Sequence, residues 1–387
     1  MIKKSDYFFE YMKLTLVFSD MELGSGNRSD DFIEEDLFCT TLRGIFSDAK
    51  KQATDIVFNG DTFDFVKTPL KDGIYHRHFT EKRSCEKFEL IYAAHKKTFR
   101  VFRDLLKLRP DNRLVFVLGN HDYDLVFPKV QAAIKKAIAG KDKSLGEQII
   151  FPGFEFSDNL VFIEHGSQLD FYFKVHPEKF IHPGNADFPE PFLLIPWGHN
   201  FLYELIMEYK ERYPLFERLL PREYAIAALP ANVRYEMAIS TSWYFVKSFF
   251  YTQLVEFYDP LRRFSFGQFV RYSVNIVRQN FHLHFLKKAR KKLRRNTFEV
   301  YCVGHNHTGT MITTAGKKII NTGAWRDEYL YNPEIDAFLP KMKSYGYILH
   351  SSKKIHVMEL REVSGKQEAI FFEDIDEKVL EGRRLVE

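Results

Sequence analysis

The chain has 387 residues and a formal net charge of +4, with 45% of its residues hydrophobic and 28% charged. These proportions belong to a folded globular protein and exclude disordered and fibrous classes. The length exceeds an ordinary domain of about 100–200 residues, so one large domain with an insertion, or two domains, is expected; so small a charge gives no argument for nucleic acid by itself.

Cys39, Cys85 and Cys302 are odd in number and widely spaced, without a Cys-x-x-Cys pair. Neither a disulfide framework nor a structural zinc site is expected, and a reducing, cytoplasmic setting fits. Asp6 and Glu10 interrupt the first residues, so no signal peptide is read there. Nor is there a run of about 18 uncharged apolar residues to form a transmembrane helix.

Leu14-Thr15-Leu16-Val17-Phe18 reads as a first strand and runs into Ser19-Asp20-Met21-Glu22-Leu23-Gly24, with Gly24 and Gly26 available for tight turns. Ser29-Asp30-Asp31 offers an N-cap to a helix carrying Phe32, Ile33, Leu37 and Leu42, and Asp30 and Asp31 suit the positive end of its dipole. A second strand, Asp55-Ile56-Val57-Phe58, ends at Asn59-Gly60-Asp61-Thr62-Phe63-Asp64. A long helix from Glu81 to Leu108 leads to a third strand, Leu114 to Leu118, broken by Gly119 and followed by Asn120-His121-Asp122. After a helix near Val130 to Ile138, the strand Leu160 to Ile163 enters Glu164-His165-Gly166. This alternation of strand, loop and helix is that of an α/β fold with a helix-covered parallel sheet.

From about Phe171 to Asn296 the pattern changes to amphipathic stretches, Phe201 to Tyr213, Ala225 to Tyr258 and Phe266 to Arg295. They hold many of the 39 Phe and 20 Tyr, with Trp243, Tyr244, Phe245, Phe249, Phe250 and Tyr251 close together, and they read as a helical insertion. The basic run Lys287 to Arg295 closes it. Strand signals return at Phe298 to Val303, ending at Gly304-His305-Asn306-His307, and continue through Thr308 to Thr314, Lys318 to Asn321, Tyr345 to His350 and Lys354 to Leu360 as an antiparallel second half.

Five strand ends thus carry Asp20 and Glu22; Asp61 and Asp64; Asn120, His121 and Asp122; His165; and His305 and His307. Metal sites need oxygen and imidazole donors converging from separate elements, and i, i+2 pairs leaving a strand can supply two donors to one site. The count suits two ions that share a ligand.

In order and spacing these segments resemble the calcineurin-like metallophosphoesterase family. Its signature of Asp-x-His, Gly-Asp-x-x-Asp, Gly-Asn-His-Asp/Glu, a lone His before Gly, and Gly-His-x-His is matched by Asp20-Met21-Glu22, Gly60-Asp61-Thr62-Phe63-Asp64, Gly119-Asn120-His121-Asp122, His165-Gly166 and Gly304-His305-Asn306-His307. The resemblance covers roughly residues 13–170 and 297–360. It implies a four-layer α/β/β/α sandwich of two mixed sheets: residues 1–170 and 297–360 as the halves of the core, 171–296 as a helical cap, and 361–387 as a C-terminal strand and charged tail.

It also implies two divalent ions, manganese first and iron or zinc as alternatives. Asp20, Asp61 and His307 would hold one, Asp61, Asn120, His165 and His305 the other, so that a bridging hydroxide attacks a phosphate ester in line. His121 is implied to stabilise or protonate the departing oxygen, with Asp122 holding its ring and Asp64 behind the ligands. The departure is Glu22, where the family has His. An anionic oxygen there is expected to ligate and to favour manganese or iron over zinc.

Plainer readings apply elsewhere. His199, His282, His284 and His350 are expected in the core or on the surface, and Ser167 lacks the base and acid of a hydrolase triad. Asn321-Thr322-Gly323-Ala324-Trp325 is expected as a packed strand end, with Trp325 toward the pocket. The expected substrate is a small or lipid-linked phosphate ester. A UDP-2,3-diacylglucosamine-type pyrophosphatase and a nuclease using Lys287 to Arg295 are the alternatives, and a non-catalytic scaffold is least favoured. The same basic run would suit peripheral contact with an anionic inner-membrane surface.

Overall fold

The computed structural model describes residues 12–158, 160–255, 258–261 and 281–375. In chain order its strands are β1 (Lys13–Phe18), β2 (Ala53–Asn59), β3 (Arg113–Val117), β4 (Ile149–Gly153), β5 (Glu155–Asp158) and β6 (Val161–Glu164). Next come β7 (Ile181–His182), β8 (Phe192–Leu193), β9 (Leu219–Leu220), β10 (Val300–Val303), β11 (Gly309–Thr314) and β12 (Lys317–Thr322). The last are β13 (Tyr329–Asn332), β14 (Ala337–Pro340), β15 (Lys343–His350), β16 (Ile355–Val363) and β17 (Ile370–Phe371).

One sheet has the order β16-β15-β1-β2-β3-β4 and a second the order β11-β12-β10-β6-β5. Both are mixed: β1 to β4 run parallel and β15 antiparallel to β1, while β10 is parallel to β6 and β12. The register sets Phe18 beside Phe58 and Asn59 beside Val117, so the loops after β1, β2 and β3 leave the sheet at one level. In the second sheet β6 and β10 end just before His165 and Gly304.

Strand periodicity divides the core. Val17, Val57 and Val115 meet Val161, Ile163, Val300 and Ile320 in a layer shared by the two sheets. Leu16, Phe18, Ile56, Phe58, Leu114 and Phe116 face the other way, beneath α1 (Glu35–Lys51), α2 (Glu81–Ala94), α3 (Lys96–Leu106) and α4 (Pro128–Ala139). On the second sheet, the helix Phe281–Arg295 seats Phe285, Ala289 and Leu293 against Phe162 and Tyr301. Each buried Val, Leu, Ile or Phe among these contributes roughly 1.5–3 kcal/mol by leaving water.

Several local expectations change. The stretch from Glu81 to Leu108 is two helices broken at His95, whose Nε2 lies 2.9 Å from Asp30 Oδ2. Asp30 and Asp31 are not helix caps, since α1 begins at Glu35. Asp30 accepts instead from the backbone N–H groups of Gly24, Gly26 and Phe32 at 3.3, 2.7 and 3.0 Å, stapling the loop after β1.

The insertion is not wholly helical. β7 pairs with β8, and β9 pairs in parallel with β13 within a sheet of order β17-β14-β13-β9. Tyr209, Phe216, Leu219 and Val233 share a core with Tyr329, Phe338 and Ile370, so the insertion is packed onto the C-terminal strands. The expected helix from Ala225 to Tyr258 divides at Pro230 into Arg222–Ala228 and Ala231–Leu254, because proline lacks an N–H and biases its predecessor away from α. The part of the Phe266 to Arg295 expectation before Phe281, and the tail beyond residue 375, lie outside the described residues. Among the described residues no helix is long and apolar enough to cross a membrane.

Candidate metal centre

The five strand-end loops converge where the C-terminal ends of β1, β2, β3, β6 and β10 meet. Asp20, Glu22, Asp61, His305 and His307 have φ between +50° and +70°, five of the seven non-glycine residues with positive φ among the described residues. Side chains adopt that region only where the surroundings enforce it, and such strain gathers at functional sites. The enforcement is visible: Asp20 N–H donates to Gly60 O at 3.2 Å, Glu22 N–H to Asp61 O at 2.8 Å, and Trp325 and Arg326 N–H to Asp20 O at 2.9 and 2.8 Å. Glycine is required beside them. A Cβ at Gly119 would fall 2.2 Å from Asp61 Oδ1, and one at Gly60 2.4 Å from the His165 ring.

His165 Nδ1 is 2.8 Å from the carbonyl oxygen of Asn59, which only accepts, so Nδ1 carries the hydrogen. Nε2 of the neutral ring is then a lone pair, and it faces Asp61 Oδ2 at 3.1 Å, Asn120 Oδ1 at 3.2 Å and Asp20 Oδ1 at 3.9 Å. Asp20 Oδ1 is buried without a hydrogen-bond partner among the described residues. Four such atoms gathered this closely need positive charge among them, from a proton on Nε2 or from a cation in its place. The carboxylates favour positive charge at this point: against the opposing effect of burial, Asp61 and Asp20 push the imidazole up to about 9. A ring nitrogen of His305 lies within 4.8 Å of donors from Asp61 and His165. Its Nε2 is 3.1 Å from Asp170 Oδ2, which leaves Nδ1 as the nitrogen available.

Beside this group His307 Nε2 is 3.2 Å from Asp20 Oδ1 and 3.8 Å from Glu22 Oε1. Its Nδ1 is 2.6 Å from Glu328 Oε1, an arrangement that fixes a ring and strengthens it as a ligand. Burial opposes the charge, yet Glu328 and Asp20 push His307 up to about 10. The two groups contain oxygens and imidazoles without thiolates, so the residues present fit hard or borderline divalent ions such as manganese, iron or zinc.

Glu22 faces the same space, with a carboxylate oxygen within 4.8 Å of donors from Asp61 and His121. It is also gripped from behind. Arg326 Nη1 lies 3.1 and 2.8 Å from its two oxygens, and Lys67 Nζ contacts Oε2. Burial raises the cost of the charge, but Arg326 and Lys67 hold the carboxyl at about 2. Lys67 and Arg326 also bind Asp31 at 2.7 and 3.1 Å, and Lys210 and Arg218 of the insertion reach the same carboxylate at 2.7 and 3.0 Å. Asp31 is thus the centre of a buried ion cluster. Sequence reasoning missed Lys67, Lys210, Arg218, Arg326 and Glu328, for no spacing rule links them; only the place of Arg326 directly after Trp325 hinted at one.

His121 Nδ1 lies 3.0 Å from Asp64 Oδ1, and its backbone N–H donates to Asp61 Oδ1 at 2.7 Å. The expected ring partner, Asp122, does something else. Its oxygens accept from the N–H groups of Gly119 and Thr62 at 2.7 and 2.8 Å, tying the loop after β3 to the loop after β2. Burial, then the Asp61 charge, pushes Asp122 up to about 7. Against burial, Glu22, Asp64 and Asp61 push His121 up to about 9.

The bystander histidines divide. His350 Nε2 is 3.0 Å from Thr15 Oγ1, a contact between β15 and β1. The side chains of His282 and His284 lie outside the described residues. His199 is buried at the centre itself, its ring centroid 5.7 Å from that of His121, and burial foremost, with the His121 charge, keeps it neutral. The Trp325 ring packs against Phe18 and Phe38 and donates to Ser344 O at 2.8 Å; its backbone N–H, not its ring, serves the site. Of the basic run, Lys287, Lys288, Arg290, Lys291, Arg294 and Arg295 are exposed, while Lys292 Nζ pairs with Glu164 Oε2 at 2.6 Å.

The sequence matches no protein-family model and no curated protein, so its residues carry the functional reading alone.

Proposed function

We propose that the chain is a metal-dependent phosphohydrolase of the metallophosphoesterase type, a four-layer α/β/β/α sandwich with a cap, acting on a small or lipid-linked phosphate ester. The observation that carries the reading is the convergence of His165 Nε2 with oxygens of Asp61, Asn120 and Asp20. Asp61, Asn120, His165 and His305 would hold one divalent ion, and Asp20, Asp61 and His307 the other, with Glu22 oriented toward the second. Manganese is the ion we infer first from these donors. Bound there, divalent ions supply neutralisation of phosphoryl charge and a water acidified for attack on phosphorus.

The chain's own groups do the rest. His121, held through Nδ1 by Asp64, would as the imidazolium offer its Nε2 proton to the departing ester oxygen, the placement a general acid needs. Phe173 and Phe285 flank His305 with centroid separations of 5.3 and 6.3 Å, an apolar wall for the organic part of an ester. Calorimetric titration with Mn²⁺, followed by hydrolysis of p-nitrophenyl phosphate and bis-p-nitrophenyl phosphate, tests the reading. Uptake and turnover are expected, and both are expected to vanish in Asp61→Ala; a native chain that takes up no Mn²⁺ sinks the proposal.

A further inference from the structure

His199 is 1% exposed, and neither Nδ1 nor Nε2 has a hydrogen-bond partner among the described residues. A buried polar group left unpaired costs about 1–3 kcal/mol, so one in a native structure needs a reason. The ring's surroundings supply it. It stands at 76° to His121, its centroid is 5.7 Å from that of Phe173, and the charges that bear on it belong to His121, Asp61, His305 and Lys87.

The chain is built to bring it there. Pro196 opens the short helix Trp197–Phe201, and Gly198 lets that helix press on Phe173, where a Cβ would fall 2.6 Å from Cε1 of the ring. Gly198 N–H donates to Tyr172 O at 3.2 Å, and Asn200 Nδ2 to Leu261 O at 2.7 Å, anchoring the helix on both sides of His199. Phe173 in turn lies against His305.

We propose that His199, delivered by the insertion, binds the substrate directly by donating its ring N–H to a non-bridging phosphoryl oxygen. The inference rests on the phosphohydrolase reading above. A neutral imidazole keeps one N–H to donate, and a donor preorganised in a dry site is worth more than one in water. The insertion therefore contributes to phosphate recognition as well as to the walls of the cleft.

The test is calorimetric titration of Mn²⁺ into the wild-type chain, His199→Phe and His199→Gln, then of inorganic phosphate into each Mn²⁺-loaded protein, with melting curves alongside. His199→Phe is expected to bind Mn²⁺ within about twofold of wild type, to melt no lower because an unpaired buried polar group is gone, and to bind phosphate at least about tenfold more weakly. His199→Gln, which keeps a donor, recovers part of that loss and serves if the Phe variant does not fold. Wild-type phosphate affinity in both variants, or Mn²⁺ affinity lost together with phosphate affinity, overturns direct binding by His199. A wild-type chain that takes up neither Mn²⁺ nor phosphate overturns the metal reading, and the role of His199 with it.

Discussion

Asp64 Oδ1 lies 3.0 Å from Nδ1 of His121, so a carboxylate on the loop after β2 orients the imidazole on the loop after β3. Asp64→Asn keeps the shape and removes the charge that helps hold the ring protonated. In the proposed phosphohydrolase reaction this would weaken the general acid, which matters most when the departing oxygen is basic. The kcat for a phenyl ester is therefore expected to fall about 10²-fold, and that for the p-nitrophenyl ester much less. Equal losses for both esters would show that Asp64 acts on something other than leaving-group protonation.

Gly119 is sterically committed, because a methyl group there would occupy the place of Asp61 Oδ1 and the Asp61 backbone nitrogen, 2.2 and 2.3 Å away. Gly119→Ala is expected to lower Mn²⁺ affinity at least about tenfold by displacing Asp61, a cost of about 1.4 kcal/mol or more. Gly146, whose added Cβ would meet nothing within 4 Å, is the matched control. Calorimetric titration of both variants decides the matter, and intact affinity in Gly119→Ala would contradict the crowding.

Arg326 and Glu22 form a fully buried pair, and removing one partner strands the other's charge. Arg326→Met and Glu22→Gln are each expected to cost about 3–5 kcal/mol in urea unfolding, and the double variant less than the two together. Strict additivity would mean that the two side chains do not interact.

Lys87 is buried with its ammonium donating to Phe65 O at 2.6 Å and sitting 4.2 Å from the Phe79 ring centroid. Burial pulls it down to about 8 against the attraction of Asp124 and Asp64. An ordinary lysine holds its proton to about pH 10.4, so between pH 8 and that value the unfolded chain binds more protons and stability rises with pH. The rise from this group is roughly 3 kcal/mol. Lys87→Met is expected to be the more stable protein near pH 7, with a lead that shrinks by pH 10; urea midpoints at both values check this, and a constant difference refutes it.

How much of this was legible beforehand follows from how local each signal is. Strand periodicity and glycine breaks put Asp20, Asp61, Asn120, His165, His305 and His307 at strand ends, and a parallel register carries strand ends to one edge; the mixed α/β character and the meeting of those six residues follow from patterns a few residues long. The partners behind them do not. Whether Asp64 or Asp122 takes the His121 ring depends on how two adjacent loops are tied, and Asp122 was spent on the backbone of Gly119 and Thr62. Asp31 looked like a helix cap because capping is local chemistry, while Lys67, Lys210, Arg218 and Arg326 reach it from distant parts of the chain. His199 looked like a bystander for the same reason. Buried charge and unpaired imidazole depend on what the folded chain brings within a few ångströms, and only the tertiary structure decides that.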